Sequence, residues 1–186
     1  IILTSGATDS LNMLIHGFIA GIRPLSARLP HVITTALEHN SVLRPLYLLK
    51  ANGRISLTVL PFHDGYISPG DVDRAIQPAT VMLVMTHGSN VLGTVQDIHT
   101  IGGICADKGV FSIVDGAQTA GIAPPVLSHV PVDAYVFTGH KYLLGPAGTG
   151  GFWIRDTDAL VPYRQGGTGT DSANPAMPPE PPERFE

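Results

Sequence analysis

Short apolar runs recur along the chain, separated by stretches where apolar residues return at three- and four-residue intervals. The runs cover residues 31–36, 56–60, 80–85, 111–115, 134–138 and 150–154. They are rich in Val, Ile and Phe and mostly do not alternate with polar residues. A strand with one wet face alternates, whereas a strand covered on both faces need not. The runs therefore predict buried strands. Between them, Leu11, Leu14, Ile15, Phe18 and Ile22 recur at helical spacing. Ser68 followed by Pro69 predicts a helix start, with the serine as N-cap and the proline at the first helical position. Ile98, Ile101, Ile104 and Cys105 form another apolar face that ends near Lys108 and Gly109. The opening "IILTSGATDS" reads as the end of a strand running into a helix. Strands alternating with helices predict an α/β fold with a mainly parallel sheet.

After Arg155 the pattern stops. The stretch "RQGGTGTDSANPAMPPEPPERFE" is rich in Gly and Pro and has no period. Two readings stay open: a disordered tail, or an ordered excursion packed on another domain or subunit. The chain opens without methionine and closes on "MPPEPPERFE", so both ends read as cuts within a longer protein.

Charge narrows the function classes. The 186 residues carry a net charge of -4 and show no Lys/Arg cluster, which argues against nucleic-acid binding. No apolar run approaches the roughly 18–20 residues of a membrane span, and no signal-peptide succession occurs. The single cysteine, Cys105, excludes an internal disulfide and a cysteine zinc cluster. It fits a reducing, cytoplasmic setting, and its place on an apolar helix face reads as core packing.

The polar residues gather where strands end, which is where ligands bind in doubly wound sheets. Glu38, His39, Asn40 and Ser41 follow one strand, and Thr86, His87, Ser89 and Asn90 follow another. Asp115 and Gln118 follow a third, and Thr138, His140 and Lys141 a fourth. Thr4, Ser5 and Thr8 stand where the opening strand meets its helix. These clusters point to one shared site. "TSGAT" offers helix-start N–H groups to a phosphate, or is an ordinary cap. Neither a Walker loop nor a dinucleotide glycine fingerprint is present, which disfavours a nucleotide-dependent dehydrogenase. Asp115 either caps a turn beginning at Gly116 or holds an anion against a cationic ring nitrogen. Lys141 either reaches solvent along its stem or presents a nucleophilic amine at an apolar site. His39 and His87 lack the spacing of metal ligands, so no metal is expected, and His39 can instead lay a flat ring against a ligand.

Taken together, "TSGATDSLN", "TALEHNSVLRP", "SNVLGTVQDI", "VDGAQTAG" and "TGHKYLLGPAGTGGFWIR" resemble the class V aminotransferases of the fold-type-I pyridoxal phosphate enzymes. The nearest likeness is to the cysteine desulfurases and selenocysteine lyases, and it covers about residues 3–155. The resemblance implies a three-layer α/β/α large domain over 1–155, with an antiparallel strand at 150–154. Residues 156–186 would lead towards a small C-terminal domain. It implies pyridoxal 5'-phosphate as cofactor, with Lys141 and His39 as the catalytic residues. Lys141 would form the Schiff base and then act as general base, and His39 would stack on the ring. Ala7, Thr8, Thr138 and His140 would hold the phosphate. Asp115 would pair with the pyridine nitrogen, Gln118 with the ring hydroxyl, and Asn90 would lie near ring and substrate. Thr168 resembles a residue that reaches the phosphate of a neighbouring subunit, which implies a homodimer.

The implied reaction takes sulfur from L-cysteine, leaving alanine and a persulfide that a sulfur-acceptor protein could receive. The family's sulfur-accepting cysteine would lie beyond this chain, and Cys105 does not match it. Alternatives within the family are a selenocysteine lyase, a small-amino-acid aminotransferase or an epimerase. A non-catalytic protein retaining the fold is the alternative outside it.

Overall fold

The computed structural model describes residues 1–22, 28–169 and 173–185. Its strands are β1 (Ile2–Thr4), β2 (His31–Thr35), β3 (Ser56–Leu60), β4 (Thr80–Thr86), β5 (Phe111–Asp115), β6 (Ala134–Thr138) and β7 (Gly150–Ile154). The helices are α1 (Ala7–Gly21), α2 (Asn40–Ala51), α3 (Pro69–Ala75) and α4 (Ile98–Asp107). The strands form one sheet in the order β1-β7-β6-β5-β4-β2-β3. From β6 to β3 every pairing is parallel, while β7 runs antiparallel to both β6 and β1.

The non-alternating strands are explained by burial on both faces. Val32, Met82, Val84, Ile113, Ala134 and Val136 pack towards α1 and α2. Their neighbours Ile33, Leu83, Met85, Val114 and Tyr135 pack the other way, with Val72 of α3 and Ile98, Ile101 and Cys105 of α4. The result is the expected three-layer α/β/α arrangement, in which each fully buried Ile or Leu contributes roughly 1.5–3 kcal/mol.

Helix starts follow local chemistry with one difference. Asp97 caps α4 by accepting the Thr100 N–H at 2.9 Å. Ser68 sits at the N-cap of α3, with Pro69 next, but its side chain makes no capping bond. The proline, which needs no partner for an N–H, carries that start instead.

The segment after Arg155 is not wholly a loose tail. Leu160 and Phe185 are buried in the α1-side core. The Val161 N–H donates to the Gly17 carbonyl at 3.2 Å, and the Tyr163 ring stacks on His16 of α1 at 4.9 Å. This excursion folds back on its own α1. Arg184 ties its end to its start through the Leu160 carbonyl at 2.9 Å and the Asp158 carboxylate at 3.0 Å.

The chain turns back at one point in the sheet. From β2 it moves outward to β3, then returns to place β4 on the other side of β2. A crevice opens at such a switch point, outside the carboxyl ends of the strands.

Candidate active site

A cavity of about 320 Å³ opens at the carboxyl ends of the parallel strands. Ala7, Thr8, His39, Asn90, Asp115, Gln118, Thr138, His140 and Lys141 all line it. Of the other residues that the sequence offered, Thr168, whose expected role concerns a second subunit, does not line it, and neither do Thr4, Glu38, Asn40, His87 and Ser89 from the strand-end clusters. Ser5, Gly6, Asp9, Ser41, Thr86 and Ala117 complete the walls.

Each wall has a local cause. The β1–α1 turn passes through Gly6, whose φ of 146° is rarely accessible to a residue with a Cβ. Gly6 is the N-cap of α1 and supplies no side-chain cap, so the N–H groups at the helix start keep their capacity for a ligand. Asp9 instead accepts the Ser5 N–H at 3.1 Å and the Ser5 hydroxyl at 3.0 Å. It is also paired with Arg164 from the segment after β7. Sequence reasoning missed this pair, and no local pattern marks it.

His39 caps α2, with its Nδ1 accepting the Ser41 N–H at 3.1 Å. Thr138 ends β6, and its Oγ1 lies 3.1 Å from His140 Nδ1. Both readings of Asp115 have a basis in its position. Its Oδ1 accepts the Ala117 N–H at 2.9 Å, as a turn cap does, and the same side chain borders the cavity. Burial raises its proton affinity. The Ala117 N–H and the charges of Lys141 and His39 oppose that rise.

Gly116 has a steric reason. A Cβ there would stand 2.1 Å from Tyr135 Cζ. The Tyr135 hydroxyl lies 2.8 Å from Thr119 Oγ1 and 3.3 Å from His87 Nδ1. His87, offered by its sequence position as a site residue, is thereby turned to a structural network, and burial disfavours its charged form.

Cys105 is fully buried and its thiol is pushed up to about 12, chiefly by burial. It is core, as its pattern predicts. No group of three His, Cys, Asp or Glu among the described residues could hold a metal ion, and no described helix is long and apolar enough to cross a membrane.

A larger opening of about 630 Å³ lies at the other end of the sheet, between Phe18, Phe111, Asp133 and Arg155. The Arg155 guanidinium there donates to the Val130 and Val132 carbonyls at 3.0 and 3.2 Å. With that cation already engaged and no lysine on its walls, this opening has His129 and Asp133 but offers no amine like that of Lys141.

The family model for class-V aminotransferases matches residues 1–186. The cysteine desulfurase IscS of Dictyoglomus turgidum is 32% identical over 169 residues, covering 90% of this chain and 42% of that protein. The cysteine desulfurase IscS of Buchnera aphidicola is 36% identical over 155 residues, 83% of this chain and 37% of that protein. Among solved structures, SspA in complex with cysteine superposes with a TM-score of 0.82 at 32% identity, over 89% of this chain and 47% of that one. The apo cysteine desulfurase of Thermococcus onnurineus gives 0.85 at 28% identity, over 100% of this chain and 46% of that one. The chain thus spans less than half the length of these relatives. With the whole chain matched and the sheet superposed, the chain belongs to the class-V aminotransferase family.

Proposed function

We propose that this chain forms most of the cofactor-binding large domain of a pyridoxal 5'-phosphate-dependent cysteine desulfurase, with residues 1–155 supplying its sheet and helices and the segment after Arg155 adding Leu160 and Phe185 to its core. The observation that carries the reading is one cavity bordered by a lysine amine, a buried carboxyl and an uncapped helix start. These are the three groups that an aldehyde, a ring nitrogen and a phosphate require. A volume of about 320 Å³ also suits a ligand of this size.

Lys141 supplies the amine to which the cofactor aldehyde attaches. The start of α1 at Ala7 and Thr8, with Thr138 and His140, takes the phosphate. Asp115, desolvated and with its Oδ1 fixed by the Ala117 N–H, offers its charge to a protonated ring nitrogen. His39 presents a flat ring, Gln118 a partner for the ring hydroxyl, and Asn90 a polar edge towards the substrate. When bound, pyridoxal phosphate supplies an electron sink for the pair left on Cα once its proton departs. Lys141 is placed to accept that proton as general base.

The substrate of this reading is L-cysteine, in line with relatives named cysteine desulfurases and with a neighbour solved with cysteine. The sulfur would pass to a thiolate, giving a persulfide and alanine. Buried Cys105 is unsuited to that role. The proposal includes a homodimer, in which Thr168 would reach the phosphate bound to the neighbouring subunit.

Titration with pyridoxal phosphate, followed by absorbance and gel filtration, tests the cofactor reading. The chain is expected to retain one equivalent, and Lys141→Ala none after gel filtration. Equal retention by both would overturn it. Release of alanine from L-cysteine then separates desulfurase chemistry from transamination by the same residues.

A further inference from the structure

Glu38 is a buried carboxyl to which neither the fold nor the proposed chemistry has assigned work. It follows β2 at the switch point and is 7% exposed. Its Oε1 accepts two bonds, from the Thr35 hydroxyl at 2.5 Å and from the Thr86 N–H at 2.9 Å. Its Oε2 is buried with no hydrogen-bond partner. The second bond crosses from the end of β2 to the end of β4, where the crevice opens. His39 follows directly in sequence and leads into α2.

Asp115 is the charged group whose field bears on Glu38, and His39 and Lys141 act on Asp115 in turn. His87, one residue beyond Thr86, is directed at Tyr135 instead. Two carboxylates side by side in a dry site repel each other. A bare anionic oxygen without a donor is far costlier to bury than a neutral hydroxyl.

We propose that Glu38 is a positioning residue, a neutral carboxyl that pins the 35–39 turn to the end of β4, fixes the station of His39 and sets no second negative charge against Asp115. It acts through His39 and Asp115 and does not itself meet a ligand. Burial and the neighbouring Asp115 push its titration up from the ordinary 4.5 to about 8, against the pull of the two hydrogen bonds. A folded-state value above the unfolded one means that the stability advantage of the proton is fully present below about 4.5. It is lost as pH rises through about 8.

The inference about His39 rests on the proposed cofactor site, whereas the protonation of Glu38 does not, so two readouts are needed. The first is thermal melting of cofactor-free wild type, Glu38→Gln and Glu38→Ala from pH 5 to pH 9. The glutamine keeps an acceptor for both donors and cannot ionise. Its melting temperature is expected to gain on wild type by roughly 5 °C or more between pH 5 and 8, and to gain no further above that. Parallel curves for the two proteins would overturn the neutral carboxyl. The second readout is affinity for pyridoxal phosphate at pH 7. Glu38→Ala is expected to weaken it about tenfold or more, and Glu38→Gln to restore it to within about threefold of wild type. If Glu38→Ala fails to fold, Glu38→Leu takes its place. Full affinity in the alanine or leucine variant would overturn the positioning role. Failure of wild type itself to bind would instead indict the cofactor reading and leave the melting result standing.

Discussion

Lys141 stands near enough to Asp115 for its ammonium to counter the effect of burial on the carboxyl. The two arrive from adjacent parallel strands, Asp115 as the last residue of β5 and Lys141 three residues beyond the end of β6. Neither is an ordinary choice for the edge of a dry core. Their presence on the walls of one cavity is the feature of this fold most readily explained by a ligand that needs both an amine and an anion.

Asp115→Asn should separate stability from function. Burial raises the proton affinity of Asp115, so its stabilising proton is present below about 3.9 and lost as pH rises through the higher folded value. The asparagine keeps an oxygen for the Ala117 N–H and carries no charge. The cofactor-free variant should melt a few degrees above wild type at pH 8, at about 2–4 °C per kcal/mol. Cα-proton exchange of a bound amino acid, measured in deuterated water, should fall by about a hundredfold or more. Near-normal exchange would refute the role of the carboxylate.

Gly116→Ala should destabilise the chain by about 1–3 kcal/mol through overpacking. The added methyl would lie 2.1 Å from the Tyr135 ring, which the Thr119 and His87 contacts hold in place. The double variant Gly116→Ala/Tyr135→Leu should cost less than the sum of the two single changes, as denaturant melts can measure. Strict additivity would place the strain elsewhere.

Cys105 should resist alkylation in the folded chain. Its thiol is fully buried and pushed up to about 12, so almost no thiolate exists at pH 8. Iodoacetamide should label it only as fast as the protein unfolds, and mass spectrometry should find no persulfide there after incubation with L-cysteine and cofactor. Rapid native labelling would contradict its place in the core.

Much of this architecture was legible in the sequence. The run at 31–36 became a strand ending at Thr35, and that at 80–85 extended to Thr86, while the other four kept their bounds. Two-sided burial leaves a dense apolar signature, which is why these strands were plain. Helix α2 was not singled out. Its start lies among site residues, and Pro45 sits inside it, although Val42, Leu46 and Leu49 do carry a helical stripe. The gathering of the cavity residues followed from the strand-end rule and from the family resemblance together. Contacts between distant segments were not legible. The Arg164–Asp9 pair and the stacking of Tyr163 on His16 join the segment after β7 to α1. The bond from Thr86 to Glu38 depends on β2 and β4 being neighbours. No local pattern encodes such pairings, so for "GGTGTDS" and its surroundings a tail and an excursion both stayed open.

The most direct measurement is to load the chain with pyridoxal phosphate, reduce it with borohydride and map the modified lysine by peptide mass spectrometry. Lys108, paired with Asp73, and Lys50, near the Tyr47 ring, are the internal controls. Circular dichroism before reduction confirms that the sample is folded. The cofactor site described here predicts label confined to Lys141. In a folded sample, label that is absent or spread evenly over all three lysines would contradict it.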